Sequence, residues 1–237
     1  MRATRRASIF HPWTQVLVGT IGFMLISIVP AGGADKTKDE ETIGNATNIL
    51  TAMLSSGSVP ADVLAKADCV VVVPNLKKGG FIVGGSGGRG PMSCRTGADF
   101  SGKWSPPAMY TASGMSVGLQ AGGSSSDFVL LLMNKKVVDG FLKGKTKLGR
   151  DASVAAGPGA TAANVGGDVL TYARTSGAFA GLSLGGADFT PDSDANERLY
   201  GKPLTASQIV AGTGIEATAA GQAFAALLDS KIRTHKM

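Results

Sequence analysis

The sequence predicts an α+β fold in which a largely antiparallel, glycine-rich sheet, curled like a sandwich or barrel, is flanked by N- and C-terminal helices. Short apolar runs separated by glycine-containing turns recur between residues 70 and 184, and such runs are typical of antiparallel strands. Apolar residues recur at helical spacing before and after that region, which predicts a helix on either side. The chain has 237 residues, a length that suits one or two domains.

The N-terminal segment is typical of a bacterial signal peptide for export. Basic residues precede an apolar segment of 14 residues, Val16–Val29, which is shorter than the roughly 20 residues of a membrane-spanning helix. Small residues then allow cleavage after Ala31 or Ala34. We therefore expect residues 1–34 to be removed and residues 35–237 to form a single domain that is periplasmic, attached to the cell envelope or secreted. An uncleaved signal anchor is the alternative.

The charge of the exported chain is close to balanced. Three of the 23 Lys and Arg residues lie within residues 1–34, but none of the 17 Asp and Glu residues does, so the remaining chain carries a net charge of +3. Such a small excess gives no reason to expect nucleic-acid binding.

The residue inventory argues against an enzyme. The two histidines are His11, inside the predicted signal peptide, and His235, near the C-terminus, so a cysteine nucleophile would lack its base. The core carboxylates form no close sequence pairs. The acidic stretch from Asp188 to Glu197 lacks the spacing of an EF-hand calcium loop, and we interpret it as a polar loop. We expect no catalytic residue, no cofactor and no metal.

Two helices are predicted before the first strand. From Asp39 onwards, apolar residues follow helical spacing; they are Ile43, Ala46, Ile49, Leu50, Met53 and Leu54. A helix that lies on a membrane surface usually carries Lys and Arg on its polar face, whereas this helix carries acidic residues, Thr and Asn. We therefore expect it to pack on the core. A second, short helix is predicted from Pro60 to Lys66.

A β-hairpin is predicted in the glycine-rich stretch that follows. Val70–Val73 and Phe81–Val83 are short apolar runs typical of buried strands. We expect Asn75–Gly80 to form the turn, with Lys77 and Lys78 at its tip.

The glycines after this hairpin have two interpretations. Gly85, Gly87 and Gly90 fit the spacing of a nucleotide-binding glycine loop. Such a loop opens a helix whose N-terminus meets the pyrophosphate, whereas Pro91–Cys94 is predicted to continue extended. We therefore expect these glycines to let two backbones pass closely or to let a strand bend.

Cys69 and Cys94 bracket this stretch and are the two cysteines of the chain. Export permits a disulfide, and a bridge closing a loop of about 25 residues would add roughly 3 kcal/mol to the free energy of unfolding. The sequence leaves two interpretations open: a disulfide, or two buried thiols.

The later elements follow in order. Met109–Met133 is predicted to hold strands separated at Ser113–Gly114 and Gly122–Ser126, and its apolar run Phe128–Met133 is typical of a strand buried on both faces. The remaining predictions are a short helix at Lys135–Lys143, strands at residues 148–156, 168–174 and 178–184, a capping box at Thr205–Gln208 and a final helix at Ile215–Lys231.

Two groups of basic residues are candidates for binding an anionic lipid headgroup. The first group is Lys135, Lys136, Lys143, Lys145, Lys147 and Arg150, and the second is Lys77, Lys78, Arg89 and Arg95. Each Lys or Arg near an anionic membrane contributes about 1 kcal/mol to binding. The alternative interpretation is a solvated basic face that aids solubility.

Four ordered sequence blocks resemble the SYLF domain family. They are Pro74–Gly90, Trp104–Tyr110, Ser116–Gly123 and Leu148–Pro158, joined by Tyr172–Gly181. With the helices on either side, the resemblance covers about residues 39–230. It implies a lipid-binding domain, since family members in yeast and animals bind phosphoinositide membranes and, in yeast, actin filaments. Bacterial members of the family are secreted or envelope proteins.

Two functions are consistent with these patterns. The first is a non-enzymatic, exported module that associates peripherally with anionic, phosphoinositide-like membranes, its basic residues contacting phospholipid headgroups. The second is a periplasmic structural or interaction protein without lipid specificity, which binds a protein partner or self-associates. An enzyme is the least supported class. Actin enters only by analogy with yeast family members, because export separates the chain from actin.

Overall fold

The computed structural model describes residues 31–80, 83–117, 122–144, 146–147, 153–154, 163–165, 168–176, 182–183 and 187–233. The chain divides between Pro30 and Ala31 into two units, and the described residues all belong to the second unit. Their helices are α1 (Ala31–Ser55), α2 (Ala61–Leu64), α3 (Lys135–Leu142), α4 (Ser193–Tyr200), α5 (Ala206–Ala211) and α6 (Ala219–Arg233). None of these helices combines the length and the apolar character that crossing a bilayer requires.

Antiparallel strands form the centre of the fold. They are β1 (Cys69–Gly80), β2 (Val83–Cys94), β3 (Ala108–Val117), β4 (Gly122–Leu132), β5 (Thr146–Lys147), β6 (Ser153–Val154), β7 (Ala163–Val165), β8 (Val169–Ser176), β9 (Leu182–Ser183) and β10 (Asp188–Pro191). Eight strands form one sheet in the order β5-β10-β3-β2-β1-β4-β8-β7, and β6 pairs with β9. The predicted α+β class with an antiparallel sheet is confirmed, and within the described residues the main sheet is open.

Helices cover both faces of the central part of the main sheet. Side chains alternate between the two faces along each strand. Val71 and Val73 pack in a cluster with α3 and α5, whereas Val70 and Val72 pack in a second cluster with α1, α2, α4 and α6. The apolar run that begins at Phe128 alternates between the same two clusters, as predicted. The result is a three-layer arrangement with helices on each side of the sheet.

Helix α1 packs on the core, as expected, and begins at Ala31, earlier than the predicted start at Asp39. Ile43, Ala46, Leu50 and Met53 are buried. The apolar stripe contacts α6, α4 and the first two strands, which places the N-terminal helix over one face of the sheet.

The predicted hairpin is present, but its tip was placed wrongly. β1 continues through Pro74 to Gly80, so Lys77 and Lys78 lie within the strand. The strand continues past the proline because the pairing of β1 with β4 shifts register between Val73 and Leu76. This shift is a β-bulge, in which Asn75 adopts a φ of 49°. A bulge leaves a residue unpaired, and a proline is tolerated there because it has no N–H to donate.

The glycine-rich stretch lies in β2, where two of its glycines permit a close approach of two backbones. A Cβ atom at Gly90 would overlap the carbonyl oxygen of Val72, and one at Gly88 would lie 2.8 Å from Val73 Cγ1. Both glycines face the bulged segment of β1. The predicted close approach of two backbones is therefore confirmed at Gly90, whereas a Cβ atom at Gly85 or Gly87 would have nothing within 4 Å.

Cys69 and Cys94 form a disulfide between directly paired residues of β1 and β2. Their Cα atoms are 4.0 Å apart, and both side chains are buried. Of the two interpretations that the sequence left open, the structure has the bridge, which fastens the end of the hairpin opposite its turn.

The structure differs from prediction in three further places. The stretch interpreted as a polar loop forms β10 and α4, because Asp192 caps the helix by accepting a hydrogen bond from the N–H of Ala195. β3 runs unbroken through Ser113 and Gly114, and β4 already begins at Gly122. α6 begins at Ala219 rather than at residue 215.

Several other predictions are confirmed. α2, α3 and β8 lie close to their predicted positions, and the capping box at Thr205–Gln208 is present. Of the strands predicted at residues 148–156 and 178–184, the structure describes β6 and β9; the rest of both segments lies outside the described residues.

Candidate functional site

A fully buried carboxylate, that of Asp39 on α1, lies between two arginines. Nη2 of Arg89, on β2, is 2.7 Å from one oxygen of Asp39, and Nε of Arg198, on α4, is 2.8 Å from the other. Burying an ionised carboxylate is costly unless it is paired and hydrogen-bonded. The two guanidinium groups therefore determine whether Asp39 can remain buried as an anion.

Asp192 extends this arrangement into a cluster of four charged residues. One of its oxygens is 2.7 Å from Nε of Arg89, while the other accepts from the backbone N–H of Ala195. We call Asp39, Arg89, Asp192 and Arg198 the charge cluster. It joins α1, β2 and α4, and its two acidic and two basic side chains balance in formal charge.

The charge cluster also shifts the pKa of each arginine. Burial of the Arg89 guanidinium acts to lower its pKa, but the hydrogen bonds to Asp39 and Asp192 act in the opposite direction, and the pKa is raised overall. The hydrogen bond to Asp39 raises the pKa of Arg198. Both arginines are therefore held firmly in their charged form.

Arg89 was a predicted headgroup ligand, and the structure places its guanidinium in two ion pairs. Sequence reasoning missed this because Asp39 and Asp192 lie 50 and 103 residues away along the chain. One signal was present: Asp39 precedes Ile43 by four residues, and so lies on the apolar stripe of α1. A charged residue on a buried stripe points to a partner elsewhere in the fold.

A groove opens beside the charge cluster, between α1 and the bulge of β1. It is lined by Thr42, Asn45, Pro74, Asn75, Lys77, Gly88, Arg89 and Thr111, and its volume is about 530 Å³, within the usual range for small-ligand sites. Asn45, Asn75 and Lys77 are exposed and present amide and ammonium donors. We call this site the α1 groove.

The bulge fixes one wall of the α1 groove. The backbone N–H of Asn75 donates to Oδ1 of Asp127 at 3.0 Å, and the side-chain oxygen of Asn75 accepts from Ser125 at 3.2 Å. Arg174 in turn donates to Oδ2 of Asp127 at 2.8 Å. These contacts hold Asn75 in its left-handed conformation at the rim of the groove.

The lysines on and next to α3, which belong to the first group of basic residues, lie on the other face of the sheet. α3, whose helix N-cap is Asn134, packs in the cluster opposite α1. Lys136 and Lys143 are exposed, and Lys135 forms an ion pair with Asp139 at 3.1 Å. The structure therefore does not bring Lys77 and the α3 lysines together.

The remaining predicted site residues are Lys78, Lys145, Lys147, Arg150 and Arg95. Lys78 lies in β1, and Lys147 lies in β5 opposite Asp188 of β10. Lys145 and Arg150 lie outside the described residues. Arg95 donates to the carbonyl of Ala65 and lies 5.3 Å from the ring centre of Trp104.

Comparison with known proteins decides the family. Residues 113–231 match the model of the Ysc84 family, described as "Las17-binding protein actin regulator". The chain belongs to this family. The SYLF resemblance of the four sequence blocks is thereby confirmed.

Eukaryotic relatives of the Ysc84 family are similar over much of this chain. An SH3 domain-containing protein of Schizosaccharomyces pombe is 35% identical over 183 residues, which are 73% of this chain and 41% of that protein. LAS seventeen-binding protein 3 of Saccharomyces cerevisiae is 33% identical over 163 residues, 65% of this chain and 35% of that protein. Human SH3 domain-containing YSC84-like protein 1 is 33% identical over 161 residues, 65% of this chain and 46% of that protein. The chain thus spans less than half the length of these relatives, and no solved structure matches it.

The Ysc84 family match includes part of the candidate site. Asp192, Arg198 and the α3 lysines fall within the matched residues, whereas Asp39, Lys77 and Arg89 precede them. All the residues that line the α1 groove therefore precede the match.

Proposed function

We propose that this member of the Ysc84 family is a non-enzymatic, exported module that binds peripherally to anionic membranes, and that the α1 groove holds the lipid headgroup. The observation that carries the proposal is the convergence of Lys77, Asn75 and Asn45 at one groove. An ammonium group attracts a phosphate, and amide groups can donate to phosphate or sugar oxygens.

Lys77 differs from Arg89 in its freedom to bind a ligand. Arg89 is already held by two carboxylates, whereas Lys77 has no ion-pair partner among the described residues and is exposed. Because the ammonium group of Lys77 is exposed, the desolvation free energy that opposes its binding to a phosphate is small. Lys77 therefore supplies the charge of the proposed site, and Arg89 supplies its rigid wall.

The N-terminal sequence and the disulfide support the proposed location outside the cytoplasm. The N-terminal sequence is typical of a signal peptide, and the bridge between Cys69 and Cys94 is of a kind that persists in oxidising compartments. We propose that the signal segment directs the chain to the periplasm or cell envelope, where it would meet a membrane surface.

The function is tested by co-sedimentation of the exported, processed protein with vesicles. Three compositions are compared: phosphatidylcholine alone, phosphatidylcholine with phosphatidylserine, and phosphatidylcholine with a phosphatidylinositol phosphate at matched charge. We expect sedimentation with the two anionic vesicles only, and less of it at high salt, because salt screens exposed charges over roughly 10 Å at 0.1 M. Equal recovery with all three, or recovery with none, would contradict the proposal.

A further inference from the structure

The β-bulge that forms one wall of the α1 groove lies opposite an acidic residue of β4. The pairing of β1 with β4 is regular up to Val73 and resumes at Leu76. The two residues between them, Pro74 and Asn75, lie opposite Asp127 alone, which is the arrangement of a bulge. Proline has no N–H, and the N–H of Asn75 donates to Oδ1 of Asp127 at 3.0 Å. A side chain of β4 therefore accepts the hydrogen bond of the bulged N–H.

The side chain of Asn75 is oriented by the same strand. Its Oδ1 accepts from the hydroxyl of Ser125 at 3.2 Å, and its Nδ2 has no acceptor among the residues that the structure describes. Asn75 is exposed and lines the α1 groove. Because its oxygen is already bonded to β4, the amide offers a ligand in the groove its N–H donors.

The negative charge of Asp127 is balanced by Arg174. Nε and Nη2 of Arg174 lie 3.2 and 2.8 Å from Oδ2 of Asp127, while Oδ1 is the oxygen bonded to Asn75. The Asp127 side chain is 14% exposed and does not line the groove. With both oxygens bonded to protein donors, Asp127 can affect a ligand in two ways, through Asn75 and through its charge.

These two effects have opposite signs for an anionic ligand. A carboxylate near a phosphate lowers the affinity by repulsion, whereas a donor that is fixed in advance raises it, because less conformational entropy is lost on binding. Building on the proposed headgroup site, we infer that Asp127 is a positioning residue of the α1 groove. Arg174 balances its charge, so its hold on Asn75 is the larger effect. An acidic residue thereby strengthens binding of a lipid phosphate.

The affinity of Asp127 variants for vesicles of phosphatidylcholine with a phosphatidylinositol phosphate tests this inference. Asp127→Ala removes the acceptor of the Asn75 N–H, and we expect the affinity to fall about three- to tenfold, although the variant carries less negative charge. Asp127→Asn loses the same charge but keeps an oxygen that can accept from this N–H. We expect its affinity to stay within about twofold of the wild type. Glu41→Gln removes an acidic charge from an exposed position of α1 that does not line the groove, and we expect no loss of affinity.

A double-mutant cycle determines whether Asp127 acts through Asn75. Asn75→Gly removes the amide and keeps a residue that adopts the left-handed conformation without strain, and we expect it to weaken vesicle binding about as much as Asp127→Ala. Adding Asp127→Ala to Asn75→Gly should weaken binding no further, because the positioned group is already absent. Arg174 and Asn75 are exposed, so water can replace their bonds to Asp127. We therefore expect every variant to be fully folded in the binding buffer, which urea unfolding of each variant checks.

Three results would overturn the inference. They are an Asp127→Ala protein that binds as tightly as the wild type or more tightly, equal losses in Asp127→Ala and Asp127→Asn, and additive losses in the double variant. If Lys77→Gln weakens binding and Asp127→Ala does not, the proposed function stands and this inference fails. If the wild type does not bind these vesicles, both fail.

Discussion

Replacing Gly90 with alanine is expected to destabilise the fold by at least about 3 kcal/mol, or to prevent folding. The added Cβ atom would overlap the carbonyl oxygen of Val72 and would lie 2.8 Å from its carbonyl carbon. These are backbone atoms in the central strand β1, so no side-chain rotation can relieve the contact. Overpacking that forces a backbone shift costs roughly 1–3 kcal/mol or more, and here the shift would disturb the pairing of the two central strands. Urea unfolding of Gly90→Ala and of the wild type measures the difference.

Gly85→Ala is the matched control for this effect. Gly85 lies in the same strand, and nothing stands within 4 Å of the position its Cβ would take. Alanine there is expected to leave the free energy of unfolding unchanged or to raise it by up to about 1 kcal/mol, because it restricts the unfolded chain. If both variants lost similar stability, the loss would come from replacing any glycine of β2 and not from the close contact of Gly90 with the bulged strand β1.

Removing both arginines from the charge cluster is expected to cost about 4 kcal/mol of stability. In the variant Arg89→Met with Arg198→Met, the Asp39 carboxylate would remain buried without a cation. Breaking a buried ion pair from one side costs about 3–5 kcal/mol, because it leaves an uncompensated charge. The midpoint of urea unfolding at neutral pH, with an unchanged slope, measures this loss.

Two further variants distinguish the effect of the unpaired Asp39 charge from the effect of losing an arginine side chain in general. Adding Asp39→Asn to the double variant removes the unpaired charge, and we expect it to restore part of the stability. Arg174→Met breaks an ion pair in which the arginine side chain is 54% exposed, and we expect a cost below about 1 kcal/mol. If Arg174→Met cost as much as the double variant, burial of Asp39 would not explain the effect.

The sequence predicted most elements whose signals are local. Continuous apolar runs identified the buried strands around Val70 and Phe128, helical spacing identified α1, and the hydroxyl of Thr205 identified the start of α5. Each of these signals acts over a few residues, within one turn of helix or one strand. The helix α4 also carries local signals that were overlooked, namely Asp192 as N-cap and Gly201 in a left-handed conformation at the C-terminal end.

The features that escaped prediction depend on distant partners. The bulge at Pro74 forms because β4 provides Asp127 to hold Asn75, 52 residues away, and this keeps β1 continuous where a proline alone indicated its end. The charge cluster joins residues up to 159 positions apart. The disulfide likewise required the register of β1 and β2, which places Cys69 opposite Cys94 and which the sequence alone did not give.

The measurement that most directly tests headgroup binding at the α1 groove is the affinity of Lys77→Gln for anionic vesicles. We expect it to fall about fivefold, since one Lys near an anionic membrane contributes about 1 kcal/mol. Lys202→Gln, which removes the same charge from an exposed position away from the groove, should bind like the wild type, and Lys136→Gln reports on the opposite face of the sheet. A Lys77→Gln protein that binds as tightly as the wild type, or no more weakly than Lys202→Gln, would contradict the account.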